Sequence, residues 1–319
     1  MSTQPSSKSP PNVQRGSFHG SGGTLFGISI VNLLLIVVTL GIYTFWAKAK
    51  VRRYLYSQTQ FTGDRFAYHG TGKELFFGAL KAFLVIIAFY ALFFLVAFYV
   101  SQALAVVLIY AGIAAVIPFA MWGAMRYWLS RTSWRGIRFS FRGRLKECYR
   151  KYLGGLLLAI ITLGIYTPFF HARMRRYWSN DAYFGNTAFA YDGNGKDFIW
   201  HYLLAILLTV PTLGLYWIWY GARQTRYDWS HTTFSTGRFA CTISGGAILW
   251  LLISNLLLLF ATLGFAIPWI RIRTIRFVLD RVELHGEVAW NKIVADGRAP
   301  KVGTTGEGLA DALDIGIAV

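Results

Sequence analysis

Two scarcities bound this chain more tightly than anything it holds in abundance. It has only two cysteines, Cys148 and Cys241, far apart and in no CxxC pattern, so neither a disulfide framework nor a metal knuckle is expected. Charge is the second scarcity. Only 14% of the 319 residues are charged, where a soluble domain carries about a quarter. The deficit is concentrated in 24–47, 82–125, 152–172, 198–222 and 239–270, which hold no Asp, Glu, Lys or Arg. Ion-coupled carriers and proton pumps commonly keep an ionisable group inside the bilayer. Here only His171 and His201 come near, both close to segment ends. The six histidines show no metal-ligand spacing, so no metal and no cofactor are expected. No GxSxG, HExxH, phosphate loop or dinucleotide fingerprint occurs, so no catalytic residue is assigned and an enzyme is not expected.

What is present is apolar and aromatic. Hydrophobic residues make up 55% of the chain and aromatics 17%, with 12 Trp, and mean hydropathy is +0.43. Such a composition suits a protein with two wet interfaces to line. The formal charge of +18 comes from basic residues that flank the apolar runs. The polyanion this predicts is a membrane surface, not nucleic acid. About 20 apolar residues cross ~30 Å of hydrocarbon, and 82–125 has room for two helices turning near Ser101-Gln102. The expectation is therefore an all-α polytopic membrane protein. It has about six transmembrane helices, near 24–47, 79–100, 103–125, 152–171, 200–221 and 247–270, within a domain of 24–298. Residues 1–23, rich in Ser, Pro and Gly, read as a disordered tail, and 299–319 as a flexible one. The first apolar run is followed by Lys48, Lys50, Arg52 and Arg53 instead of a cleavage site, which marks it as a retained helix.

Self-comparison gives a unit of about fifty residues. Thr-Leu-Gly occurs at Thr39, Thr162, Thr212 and Thr262, and the segments NLLLIVVTLG and NLLLLFATLG open at Asn32 and Asn255. Fourteen residues after each Thr stand Arg53, Arg176, Arg226 and Arg276, followed by Tyr54, Tyr177, Tyr227 and Phe277. Fifty residues before Thr162 the triplet has decayed at Gly112, yet Arg126-Tyr127 keep the register, and Pro118, Pro168 and Pro268 share one slot. Each copy continues into alternating aromatic and polar residues around a Gly turn, as in SQTQFTGDRFAYHGTGK, which predicts a short β-hairpin at the membrane surface.

The string TLGIYTFWAKAKVRRYLYSQTQFTGDRFAYHGTGKELFFG resembles the signature of the YjgN family, bacterial inner-membrane proteins grouped as domain of unknown function 898. The likeness covers roughly 17–298. It implies a bacterial inner-membrane location and a multi-pass helical fold, and it implies no established activity, substrate or catalytic residue.

The candidate residues are the paired slots Arg53-Tyr54, Arg126-Tyr127, Arg176-Tyr177, Arg226-Tyr227 and Arg276-Phe277. They anchor helix exits by snorkelling, or they bind anionic lipid headgroups, since guanidinium matches phosphate bidentately. Thr39, Gly41, Thr162, Gly164, Pro168, Thr212, Gly214, Thr262, Gly264 and Pro268 mark helix kinks or close packing, or else a broken helix lining a transport site. If each copy crosses once, the richer basic loops (48–81, 126–151 and 223–238) face the cytoplasm and both termini lie outside. A rival makes each Thr-Leu-Gly the tip of a re-entrant hairpin. Its arms, taken from 152–170, would be only about nine residues or ~14 Å, with a tip backbone in need of partners, so single crossings are favoured. Two functions stay open: a transporter or channel-like protein for a small solute or lipid, and a non-transporting scaffold or envelope-maintenance protein organising anionic lipids or partners.

Overall fold

The computed structural model describes residues 13–296. One order of elements recurs along them: a helix, a tight tip, a returning helix, then two short strands. The helical hairpins are α1–α2 (Gly22–Val38, Thr44–Gln58), α3–α4 (Gly72–Tyr99, Gln102–Arg131), α5–α6 (Leu145–Ile161, Thr167–Asn180), α7–α8 (Ile199–Leu208, Tyr216–Ser230) and α9–α10 (Gly245–Ala261, Ile267–Leu279). Strand β1 (Val13–Phe18) precedes them. Between them lie β2 (Thr59–Phe61), β3 (Asp64–Tyr68), β4 (Thr132–Trp134), β5 (Ile137–Phe141), β6 (Ala182–Phe184), β7 (Thr187–Tyr191), β8 (Thr232–Phe234) and β9 (Gly237–Cys241), and β10 (Val282–His285) follows α10.

The expected surface hairpins are not separate. Two-residue turns such as Thr62-Gly63, with φ of 47° and 89°, carry the positive φ values that match strand twist. Each hairpin then pairs antiparallel with the next, and β1 pairs with both β2 and β10, through Gly16 opposite Phe61 and Gln14 opposite Leu284. The ten strands thus close into a barrel. The period of two sends alternate aromatics inward. Trp134, Phe184, Phe234 and Leu284 are buried there, with Phe66, Phe139, Phe189 and Phe239 against them. The segment after β10 adds Val288, Trp290 and Ile293, and Trp290 lies 4.8 Å from Trp134, ring to ring. Side chains fill the barrel interior, as the size of a small barrel permits.

This architecture overturns the all-α expectation and the six spanning helices. Among the described residues only α3, with 28 residues, and α4, with 30, are long and apolar enough to cross a membrane. The first covers 79–99 of the expected 79–100 and begins earlier, and the second covers 103–125 and extends past both its ends. The other four expected spans, 24–47, 152–171, 200–221 and 247–270, each break in two at Thr-Leu-Gly. Val13–Phe18, expected within a disordered tail of 1–23, is instead a barrel strand. The flexible segment expected at 299–319 lies outside the described residues.

The break has a local cause. Thr39 ends α1, and its hydroxyl donates to the Leu35 carbonyl (2.7 Å) while accepting from the Tyr43 N–H at the start of the returning helix (3.0 Å). Leu40 and Gly41 then turn left-handed, at φ of 51° and 92°, and the Gly41 N–H reaches back to the Ile36 carbonyl (2.8 Å). That last bond is a Schellman closure. The same bonds recur at Thr162–Gly164, Thr212–Gly214 and Thr262–Gly264. Thr-Leu-Gly is therefore a self-capped tip and not a kink within a span. Pro168 and Pro268 sit in the first turns of α6 and α10, where the missing N–H costs nothing, whereas Pro118 lies inside α4.

Adjacent units meet where one outgoing helix begins. A side chain on Gly72, the first residue of α3, would come within 2.6 Å of the Trp46 Cα on α2. Gly22 meets Trp269, Gly195 meets Phe169 and Gly245 meets Trp219 in the same way. A backbone without Cβ is needed for so close a seam.

Candidate functional site: a basic rim where helices meet barrel

The Arg-aromatic slots fall at the barrel end of the returning helices, and the aromatic member has a structural task. Tyr54 accepts from the Ser21 N–H (2.9 Å), and Ser21 is the N-cap of α1. Tyr177 donates to the carbonyl of Arg144, the N-cap of α5 (3.0 Å). Tyr227 accepts from the Asn194 N–H (2.8 Å) and donates to Asp197. Tyr127 donates to Glu74 in the first turn of α3 (3.1 Å), where Arg131 forks onto the same carboxylate at 2.8 and 3.0 Å. Each tyrosine thus ties the return of a hairpin to its own start. Phe277 has no hydroxyl and lies under Arg281 at 4.0 Å.

The arginine member reaches the other way, to the next unit. Arg176 donates to the Gly193 carbonyl (2.9 Å), just before the N-cap Asn194, and Arg276 donates to the Gly20 carbonyl (2.8 Å), just before Ser21. The second bond joins the last unit to the first. At the seam after α4, Trp122 donates to the Gly143 carbonyl (2.7 Å) and Arg126 lies over its ring at 4.5 Å. Arg53 and Arg226 have no hydrogen bond or ion pair among the described residues and are exposed.

A second basic slot lies three residues before these arginines, one helical turn toward the tip: Lys50, Arg173, Arg223 and Arg273, with Gly123 in the α4 copy. In four units both slots are exposed and cationic. They form a rim facing outward between the barrel and the uncharged hairpin ends. The upper slot is eleven residues past each tip Thr but only six or seven residues into the returning helix, or ~10 Å along its axis, and Lys48 and Arg271 lie about half a turn nearer the tip. The tips themselves are bare. Leu40, Leu163, Leu213 and Leu263 are all about nine-tenths exposed.

The model of a bacterial protein family of unknown function, DUF898, matches residues 13–218 and again 206–312. The chain belongs to that family. It is similar to inner membrane protein YjgN of Escherichia coli O157:H7, 35% identical over 153 residues, covering 48% of this chain and 37% of that protein. The YjgN proteins of Salmonella typhimurium LT2 and Escherichia coli K12 match at 34% over 151 residues and 32% over 155. The aligned part therefore spans little over a third of these relatives' length. No solved structure matches.

In this DUF898 chain the structure also gathers residues that the register alone does not mark. His171 on α6 bonds Asp228 on α8 at 2.8 Å, and Tyr191 on β7 donates to the other Asp228 oxygen, also at 2.8 Å. Asp228 is buried, and the two contacts satisfy its carboxylate across the seam between units. A lone Asp where the other units carry Leu55, Trp128, Trp178 and Val278 was the available signal. Cys148 is fully buried, and burial pushes its thiol up to about 12, so it is inert at neutral pH.

Proposed function

We propose that this chain is a non-enzymatic inner-membrane scaffold that organises anionic lipids around its basic rim. In this reading α3 and α4 cross the bilayer and return, and the four short hairpins enter only the near leaflet. The observation that carries it is the spacing between tip and rim. The ~10 Å of returning helix between the tip turn and the upper slot, lengthened by Lys and Arg side chains that snorkel, keeps the tips within one leaflet's share of a ~30 Å core. Further support comes from self-capped tips that leave few backbone groups in want of water, and from the relatives' description as inner membrane proteins. The packed barrel interior favours a scaffold over a conduit along the barrel axis.

All basic loops then lie on the barrel side, which the positive-inside rule assigns to the cytoplasm. This reverses the outside placement that single crossings imply. A fluorescent reporter active only in the cytoplasm, fused after Val319, is expected to glow. A cysteine at Gln102 is expected to react with an impermeant maleimide from outside, and one at Leu163 is not. A dark reporter, or labelling at Leu163, would overturn the arrangement.

A further inference from the structure

The first seam differs from its counterparts. Gly193 and Gly20 hold the guanidinium groups of Arg176 and Arg276, but the equivalent Arg53 has no such bond among the described residues. Beside it the surface opens into a cavity of about 440 Å³ between α2 and the start of α3. Lys50, Arg53 and Lys73 line it, with Trp46 and Tyr43 on the tip side and Thr71 on the barrel side. Lys50 and Lys73 also have no ion pair among the described residues, and all three cations are exposed. The nearby acid, Glu74, is already occupied by Arg131 and Tyr127. The positive field is felt next door, where burial first, then Arg138, Arg131 and Arg53, hold the His69 pKa below its usual value.

Three unpaired cations lining an open, aromatic-walled cavity offer the chemistry that phosphate requires. Lys73 stands in the first turn of α3, whose N-terminal dipole has the same sign preference. The walls are aromatic where the bilayer interface would lie, which suits the glycerol and upper acyl carbons of a lipid. We infer that this cavity binds the phosphate of an anionic phospholipid through Lys50, Arg53 and Lys73, with the lipid's apolar part running along Trp46 toward the tips. The inference rests on the scaffold reading and narrows it to one seam. At the third and fifth seams the lower arginine is spent on a carbonyl, and at the fourth the first turn of α9 has no basic residue.

The test compares the full chain in nanodiscs with two triple variants. One is Lys50→Gln, Arg53→Gln and Lys73→Gln; the other, on the barrel, is Arg65→Gln, Arg138→Gln and Lys292→Gln, which removes the same charge. Native mass spectrometry reads the phospholipid retained from mixed phosphatidylglycerol–phosphatidylcholine membranes. Wild type and the barrel variant are expected to keep a phosphatidylglycerol, and the cavity variant to hold it about a hundredfold more weakly. Equal retention by the cavity variant would overturn this site and leave the scaffold reading standing. No anionic preference in wild type would overturn both. A second arm titrates inorganic phosphate against protein in phosphatidylcholine alone. Saturable binding lost in the cavity variant would keep the phosphate chemistry but move its source from lipid to solution. If the triple variant loses its helical circular dichroism, Arg53→Gln and Lys73→Gln are read singly, each expected to weaken retention about fivefold.

Discussion

Hairpin α3–α4 has arms of 28 and 30 residues and turns at Val100-Ser101, whereas α5–α6 has arms of 17 and 14 and turns through Thr162-Leu163-Gly164. The long arms measure ~42 Å or more, the short ones ~25 Å or less. Their tips differ in chemistry as well as depth. At the short tip the Thr162 hydroxyl serves both helices and the Gly164 N–H is satisfied within the chain. At the long tip Ser101 makes no side-chain cap bond, so the first turn of α4 looks to solvent for partners. A tip that ends in hydrocarbon must cap itself, and a tip that emerges into water is released from that demand. Under the proposed membrane arrangement this accounts for the decay of the triplet at Gly112 in the copy with the long arms.

The comparison breaks most readily with a charge. Leu163→Asp is expected to cost about 3 kcal/mol in a bilayer, read as a large fall in thermal stability in nanodiscs, while Gln102→Asp leaves it unchanged. Equal losses at both tips would refute the difference in depth. A smaller effect attends the backbone. Gly164 sits at φ +91°, so Gly164→Ala is expected to cost about 1 kcal/mol, and Ser101→Ala close to nothing, by the same melting assay. The smallest change lies at the rim. Tyr177→Phe removes one bond to the Arg144 carbonyl and is expected to cost about 1 kcal/mol at most. The reverse change, Phe277→Tyr, should not raise stability unless a partner for the new hydroxyl forms at the start of α9.

The alternating segments that form the strands were legible in the sequence. The tips were misread because the tip backbone was expected to need outside partners, and one partner was the Thr of the triplet itself. Thr39 was visible as a residue able to back-bond, but its second bond, to the Tyr43 N–H, depends on the left-handed Leu40 that an apolar run does not advertise. Barrel closure was hidden for another reason. Strands of three to five residues such as Thr132–Trp134 carry little periodicity, and their partners come from the neighbouring unit, as Phe66 pairs with Trp134. The rim was half visible. The arginines were marked, but only the fold separates Arg176, held by Gly193, from Arg53, which faces a cavity.

The pairing of β1 with β10 has a consequence for how such a chain can change over time. An open stack of repeats can gain or lose a unit at either end, because each contacts only its neighbours. A closed ring cannot. Removing one unit takes out two strands, alters the circumference of the barrel and leaves Trp290 with a lumen of the wrong size. Variation is thereby diverted from the number of units to their individual length and surface. The long second hairpin and the cationic first seam are where this ring has used that freedom.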